Sequence, residues 1–151
     1  MEIRIITVGK IKEKYLRDAI CEYEKRLSKY TKMDIIEVPD QVNNVLEKEK
    51  DLIMKHINPK DYIITLEIEG QNITSLELAK KLDKIYITNS NITFIIGGSY
   101  GLHNDIKKLS NYALSFSKMT FPHQLFRVLL LEQIYRCFKI NKNESYHKWI
   151  K

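Results

Sequence analysis

The sequence predicts an α/β fold, a mostly parallel sheet flanked by helices within a single domain spanning residues 1–151. Three observations carry that expectation. Five short runs rich in Ile, Val, Thr and Phe alternate with amphipathic segments along the chain, which is the pattern of repeated βαβ units. Most of the segments between these runs have helical length, as a return to a parallel neighbour requires. Glycines follow three of the runs, at Gly9, at Gly70 and at Gly97 with Gly98, where a parallel sheet opens its loops beyond the carboxyl ends of its strands.

Along the chain, "EIRIITVG" (2–9) reads as the first strand and "KEKYLRDAICEYEKRLSKY" (12–30) as the first helix. Tyr15, Leu16, Ala19, Ile20, Tyr23 and Leu27 form its apolar stripe, with Lys, Glu and Arg around the rest, so one side of it covers the sheet. "MDIIEV" (33–38) is the next strand, closed by Pro39 and Asp40, and "VLEKEKDLIMKHI" (45–57) is a helix closed by Asn58 and Pro59. The alternation continues through the strand "DYIITLEI", the helix "SLELAKKLDKIY", the strand "NITFIIGG", the helical "HNDIKKLSNY" and the strand "ALSFS". A long final helix starts at Pro122, whose missing N–H removes nothing in a first turn. No internal repeat, low-complexity run or linker divides the chain.

A chain of 151 residues buries roughly two-thirds of its unfolded surface without disulfides or metal. Cys21 and Cys137 are too few and too far apart for a disulfide framework or a metal motif, and read as buried thiols of a reducing compartment. The opening "MEIRIITVGK" lacks the pattern of a secretory signal, and no stretch approaches the ~20 apolar residues of a membrane span. A soluble cytoplasmic protein is expected. His56, His103, His123 and His147 are scattered, so no metal spacing is offered.

The net charge is +6, and residues 117–151 carry seven basic against two acidic side chains, so the excess sits almost wholly in the tail. Such confinement suits either a footprint on a polyanion, where each cation that meets a phosphate releases counterions, or a solvated basic face.

"NITFIIGGSYG" (91–101) holds three of the five glycines. Its spacing matches neither the dinucleotide fingerprint nor the P-loop, which excludes both of those phosphate cradles. The glycines serve either tight turns or close approach of backbone to a ligand. Glu67 and Glu69 alternate along one strand and read as solvated edge charges rather than a catalytic pair.

The final segment is the most informative. In "FPHQLFRVLLLEQIYRCFKI", Leu125, Phe126, Val128, Leu129, Leu130, Leu131, Ile134, Tyr135 and Phe138 cover more than one face. One sheet cannot bury them all. A second copy of the chain in a two-fold dimer is the expected partner, the alternative being a core helix in a larger sheet. His123 and Arg127 lie one turn apart at that helix's start, where they would suit a phosphate or a carboxylate; alternatively His123 only completes the helix start. Arg136, Lys139 and Lys142 extend a basic strip toward the tail, and Lys10, Lys12 and Lys14 add to it.

Residues 93–136, and more loosely the whole chain, resemble the RlmH family of bacterial large-subunit ribosomal RNA methyltransferases, small members of the SPOUT class. The resemblance rests on "VGKIKEKY" (8–15), "TLEIEG" (65–70), "FIIGGSYGL" (94–102), "SFSKMTFPHQLFRVLLLEQIYRCFKI" (115–140) and "YHK" (146–148). It implies a C-terminal trefoil knot, which nothing in the periodicity shows, and an S-adenosylmethionine site made by the knot's loops. The implied cofactor contacts fall on Leu66, Gly97, Gly98, Ser117, Lys118, Met119, Thr120, Phe121 and Pro122.

The resemblance further implies methylation at N3 of a pseudouridine in 23S ribosomal RNA on the assembled ribosome, by a homodimer, with no metal and no membrane. Tyr146 and His147 take catalytic places, with Tyr146 stacking on a base and His147 accepting the N3 proton. His123, Arg127, Arg136 and Lys148 would contact RNA. Two alternatives stand beside this: a SPOUT methyltransferase acting on tRNA or another rRNA position, and a ribosome-binding factor without catalysis. The chain departs from the family by a tail of Trp149, Ile150 and Lys151 after "YHK" and by a shorter connection at "PDQVNNVLEKEK".

Overall fold

The computed structural model of the chain describes residues 1–148. Trp149, Ile150 and Lys151, the tail set apart above, lie outside them. Five strands, β1 (Glu2–Val8), β2 (Lys32–Val38), β3 (Tyr62–Asn72), β4 (Asn91–Ile96) and β5 (Tyr112–Ser115), form one sheet in the order β2-β1-β4-β3-β5. Every pairing is parallel. Five helices connect and close it: α1 (Lys14–Leu27), α2 (Val45–Met54), α3 (Ser75–Thr88), α4 (Asn104–Leu109) and α5 (His123–Asn141).

Side-chain alternation sorts the strands onto two faces. Ile3, Ile5, Ile64, Ile92 and Phe94 join α1, α3 and α5 in the larger core, while Ile6, Val8, Ile63 and Ile95 meet Ile53 of α2 and Ile106 of α4 in the smaller one. The helices take their ends from local chemistry. Thr74 caps α3 in a reciprocal box with Glu77, its hydroxyl accepting from the Glu77 N–H at 3.1 Å, and His103 Nδ1 accepts from the Asp105 N–H at 2.9 Å to start α4.

Two sequence expectations change here. Tyr15 is 69% exposed, because the buried stripe of α1 runs through Leu16, Ile20 and Leu27 and Tyr15 lies about 100° around the helix from it. Cys21 is exposed too, while Cys137 is buried and its thiol is pushed up to about 12 by that burial.

Helix α5 packs on α1 and α3 as well as on the sheet. Tyr23 and Tyr30 meet Tyr135 with ring centroids 6.3 and 6.2 Å apart, and Tyr30 stacks on Phe138 at 5.5 Å. On the other flank Asn141 Nδ2 donates to the Ala79 carbonyl at 2.9 Å and the Ser75 hydroxyl to Gln133 Oε1 at 2.6 Å. The chain itself thus buries much of the apolar surface that the sequence assigns to a partner. Leu125 remains exposed, and Val128 and Leu129 only half-buried. Pro122 sits just outside α5 as its N-cap rather than in its first turn.

Strand β3 breaks register against β5: Leu66 and Gln71 both pair with Leu114. Residues 67–70 therefore arch out of the sheet. Gly70 sits at the foot of the arch, where any Cβ would lie 2.7 Å from the Ala113 carbonyl oxygen, so only glycine allows that approach.

Candidate active site

The arch of β3, the glycine loop after β4 and the loop from β5 to α5 meet beyond the carboxyl ends of three neighbouring strands. Between them lies a cavity of about 400 Å³, within the size range of small-molecule sites. Leu66, Leu114, Phe116, Phe121 and Phe126 supply an apolar wall, and Phe126 holds it together by meeting Phe116 edge-on at 4.7 Å and stacking on Phe121 at 6.1 Å. Glu67 and Lys107 supply charge. Two of the three glycine-bearing loops named from the sequence line this cavity; the loop at Gly9 does not.

Of the residues assigned to a cofactor, Leu66, Gly97, Gly98, Ser117, Met119, Thr120 and Phe121 line the cavity, whereas Lys118 and Pro122 do not. The loop carrying Ser117 is set by its own hydrogen bonds, Ser115 Oγ donating to the Ser117 carbonyl at 3.0 Å and the Met119 N–H to Ser117 Oγ at 3.0 Å. Met119 is 75% exposed, so it stands at the mouth.

The glycines act differently from the simplest reading. A Cβ on Gly97 would collide with the Gly101 carbonyl, and Gly101, at φ +78°, closes a turn by donating its N–H to the Gly98 carbonyl at 3.0 Å. Gly97 is required by the loop's own fold. A Cβ on Gly98 would meet Glu49 Oε2 and Val8 Cγ1, each at 3.2 Å, on the α2 side.

Glu49 is 4% exposed, and its carboxyl is held above the usual range by burial and then by the charge of Asp40. It packs beneath the glycine loop. Sequence reasoning passed over it, because a glutamate in "VLEKEKDLIM" reads as one more surface charge.

Glu67 departs from the expectation of a solvated edge. It is half-buried, lines the cavity and accepts from the Thr65 hydroxyl at 2.6 Å, and that hydroxyl lies 2.7 Å from Ser110 Oγ. Glu69 is exposed as expected.

Arg127 is a correction of another kind. Its side chain is 1% exposed and points into the protein, pairing with Glu37 and donating to Thr7 Oγ1 at 3.3 Å and the Gly9 carbonyl at 3.0 Å. It meets a carboxylate rather than a phosphate and has no surface to offer RNA. His123, one turn earlier, does face the cavity.

The tail residues gather elsewhere. Arg136 binds Glu132 through Nε at 3.2 Å and Nη2 at 2.8 Å, lies 3.0 Å from His147 Nδ1 through Nη1, and covers the Tyr146 ring at 4.8 Å. The Tyr146 hydroxyl donates to Glu132 Oε2 at 2.8 Å. Burial, followed by that carboxylate, pushes the phenol well above its ordinary value, so it is a donor at neutral pH. A guanidinium only donates, so the His147 contact requires Nδ1 as acceptor and leaves the ring proton on Nε2. Lys148 is exposed. None of Arg136, Tyr146, His147 and Lys148 lines the cavity.

The family model described as "Predicted SPOUT methyltransferase" matches residues 1–147. A relative from Methanococcus maripaludis (strain C5 / ATCC BAA-1333), named "Putative ribosomal RNA large subunit methyltransferase H", is 56% identical over 98% of this chain and 100% of its own. The chain belongs to the RlmH family of SPOUT methyltransferases. Two solved structures share its fold. A "probable methylase family protein" from Haemophilus influenzae Rd KW20 aligns over 97% of this chain and 70% of its own, with TM-score 0.57 and 15% identity. The tRNA (m1G37) methyltransferase from Aquifex aeolicus aligns over 100% and 77%, with TM-score 0.56 and 13% identity. No helix among the described residues is long and apolar enough to cross a membrane.

Proposed function

We propose that this chain is a homodimeric, S-adenosylmethionine-dependent methyltransferase of 23S ribosomal RNA, acting at N3 of a pseudouridine on the assembled ribosome. The observation that carries the reading is the convergence of seven of the nine expected cofactor positions on one cavity. The residues present fit an adenosyl group: aromatic and aliphatic walls for the base, a glycine-bearing loop at Gly97 and Gly98, and charged groups at Glu67 and Lys107. The cofactor supplies an electrophilic methyl on a sulfonium, which the chain has to hold in line with a nitrogen that has lost its proton.

What the chain contributes is positioning, exclusion of water and one proton acceptor. The loops at 97–101 and 117–121 hold the donor, and Phe116, Phe121 and Phe126 keep that end dry. We assign the proton to His147 and the base contact to Tyr146, with His123, Arg136 and Lys148 toward RNA. His147 can accept a proton at Nε2 only as the other tautomer, which requires Arg136 to release Nδ1. The Tyr146 ring is covered by Arg136 and meets Tyr135 in a T-shaped contact at 5.0 Å, so stacking on a base requires the ring to swing out of this packing. Because the tail cluster and the cavity are separate within one chain, a partner's tail completes the site in this reading. The outward Leu125, Val128 and Leu129 are the surface for that partner.

The test is transfer of labelled methyl from S-adenosylmethionine to ribosomes, free rRNA and tRNA, followed by mass spectrometry of the nucleosides. N3-methylpseudouridine in ribosomal RNA is expected. Label in tRNA alone rejects the ribosomal assignment, and absence of cofactor binding by calorimetry rejects catalysis altogether.

A further inference from the structure

The cavity has two chemically distinct sides, and the sheet explains why. Leu66, Phe116 and Phe126 project with Leu114 into the larger core, on the α5 face. Thr65 alternates with Leu66 and so points to the opposite face, where it touches Ser110 just after α4 and its hydroxyl donates to Glu67 Oε2. Lys107 of α4 lines the cavity as well. One side is thus apolar, and the α4 side carries a carboxylate held by Thr65 and, apart from it, an ammonium. That ammonium belongs to an exposed residue and has no ion-pair or hydrogen-bond partner among the described residues.

A carboxylate and a free ammonium in one cavity are the complement of a zwitterion. An α-amino acid group carries one cation that needs an acceptor and one anion that needs a donor, and each charge-assisted contact is stronger than a neutral one. Glu67 suits the first task because the Thr65 hydroxyl fixes its Oε2 at 2.6 Å. Glu69 lines the same cavity but is exposed and has no such anchor. Lys107 suits the second because its ammonium carries three donors and no acceptor, whereas His123, the other basic group of the lining, belongs to α5 on the apolar side.

We propose that Glu67 and Lys107 form the subsite for the α-amino and α-carboxylate groups of the methyl donor, with the apolar wall taking its base. The proposal rests on the reading of the cavity as the donor site. Glu67 accepts hydrogen bonds from the donor's ammonium and Lys107 donates to its carboxylate. Discrimination against adenosine derivatives that lack the amino-acid arm follows.

The experiment is calorimetry of the full chain with three compounds. S-adenosylhomocysteine keeps both charged groups, decarboxylated S-adenosylmethionine keeps only the amine, and 5′-methylthioadenosine has neither. Lys107→Met and Glu67→Gln are each expected to weaken S-adenosylhomocysteine about tenfold, the scale of one charged hydrogen bond, and to leave methylthioadenosine unchanged. The decarboxylated compound should respond to Glu67→Gln and ignore Lys107→Met. Retained methylthioadenosine binding shows that each variant is folded around an intact cavity. Equal losses for all three compounds, or no loss for any, overturns the subsite, as does a Lys107→Met variant that loses only ribosome affinity. Failure of the wild type to bind any of the three overturns the donor reading itself, a different result from either variant outcome.

Discussion

At the scale of single residues, two buried charges decide more than the exposed ones. Arg127 bridges the start of α5 to Glu37 on β2 and to the turn at Gly9, so it acts through the fold. Glu37 keeps 37% of its side chain exposed, so removing Arg127 strands the buried acceptors at Thr7 and Gly9 rather than a buried charge, at about 1–3 kcal/mol. Arg127→Ala should lower the urea midpoint accordingly, and the folded fraction should keep its affinity for ribosomal RNA. Lost affinity at unchanged stability would restore the RNA role.

Glu49 gives a pH signature. Burial raises its carboxyl above the unfolded value, so its favourable contribution exists below the unfolded pKa and disappears as pH rises through the folded one. Glu49→Gln should therefore gain melting temperature relative to wild type at about pH 7 and show little gain at about pH 4; the reverse order would contradict the burial argument. The burial of neither residue was legible in the sequence, although a carboxylate was one of the two partners expected of Arg127. A charge at a helical position reads as solvated unless something reveals which way the helix turns, and hydrophobic spacing in "HQLFRVLLL" points several ways at once. Gly98 illustrates the same limit: its presence was plain, but the direction of its missing side chain depends on β1 and α2.

Among the elements, the alternation of strands and helices was legible because each signal is local. Period-two and period-3.6 patterns and the turn residues between them do not depend on partners. The arch at 67–70 was not, because it exists only through β5, whose pairing with β3 no local pattern encodes. The end of α5 is likewise a tertiary product. Lys139 and the Tyr30 hydroxyl both hold Glu144, at 2.8 and 2.9 Å, and Arg136 collects Tyr146 and His147. Truncation after Asn143 removes this cluster yet leaves every lining residue of the cavity in place. S-adenosylhomocysteine affinity measured by calorimetry should stay within about twofold, while methyl transfer should be abolished. A truncated chain with full activity would remove Tyr146 and His147 from catalysis.

For the whole molecule, the central question is how a cavity beyond the carboxyl ends of the strands and a tail cluster at the far end of α5 serve one reaction. The dimer reading predicts light scattering at twice the chain mass. It also predicts complementation. A Gly97→Val chain, in which the glycine loop cannot close, and a chain truncated after Asn143 are each expected to be inactive alone. Mixed in equal amounts after unfolding and refolding together, they should recover about a quarter of wild-type activity, since half the dimers are mixed and each mixed dimer rebuilds one site. No recovery would mean that cavity and tail must come from the same chain.

The arch of β3 has a wider consequence. Because Leu66 and Gln71 share one partner on β5, the four residues between them belong to no ladder, and apart from Gly70 their identity is decoupled from strand pairing. Glu67, Ile68 and Glu69 can therefore be exchanged while the sheet beneath keeps its hydrogen bonds, which makes this short detour the part of the cavity lining whose chemistry can vary at least cost to the scaffold.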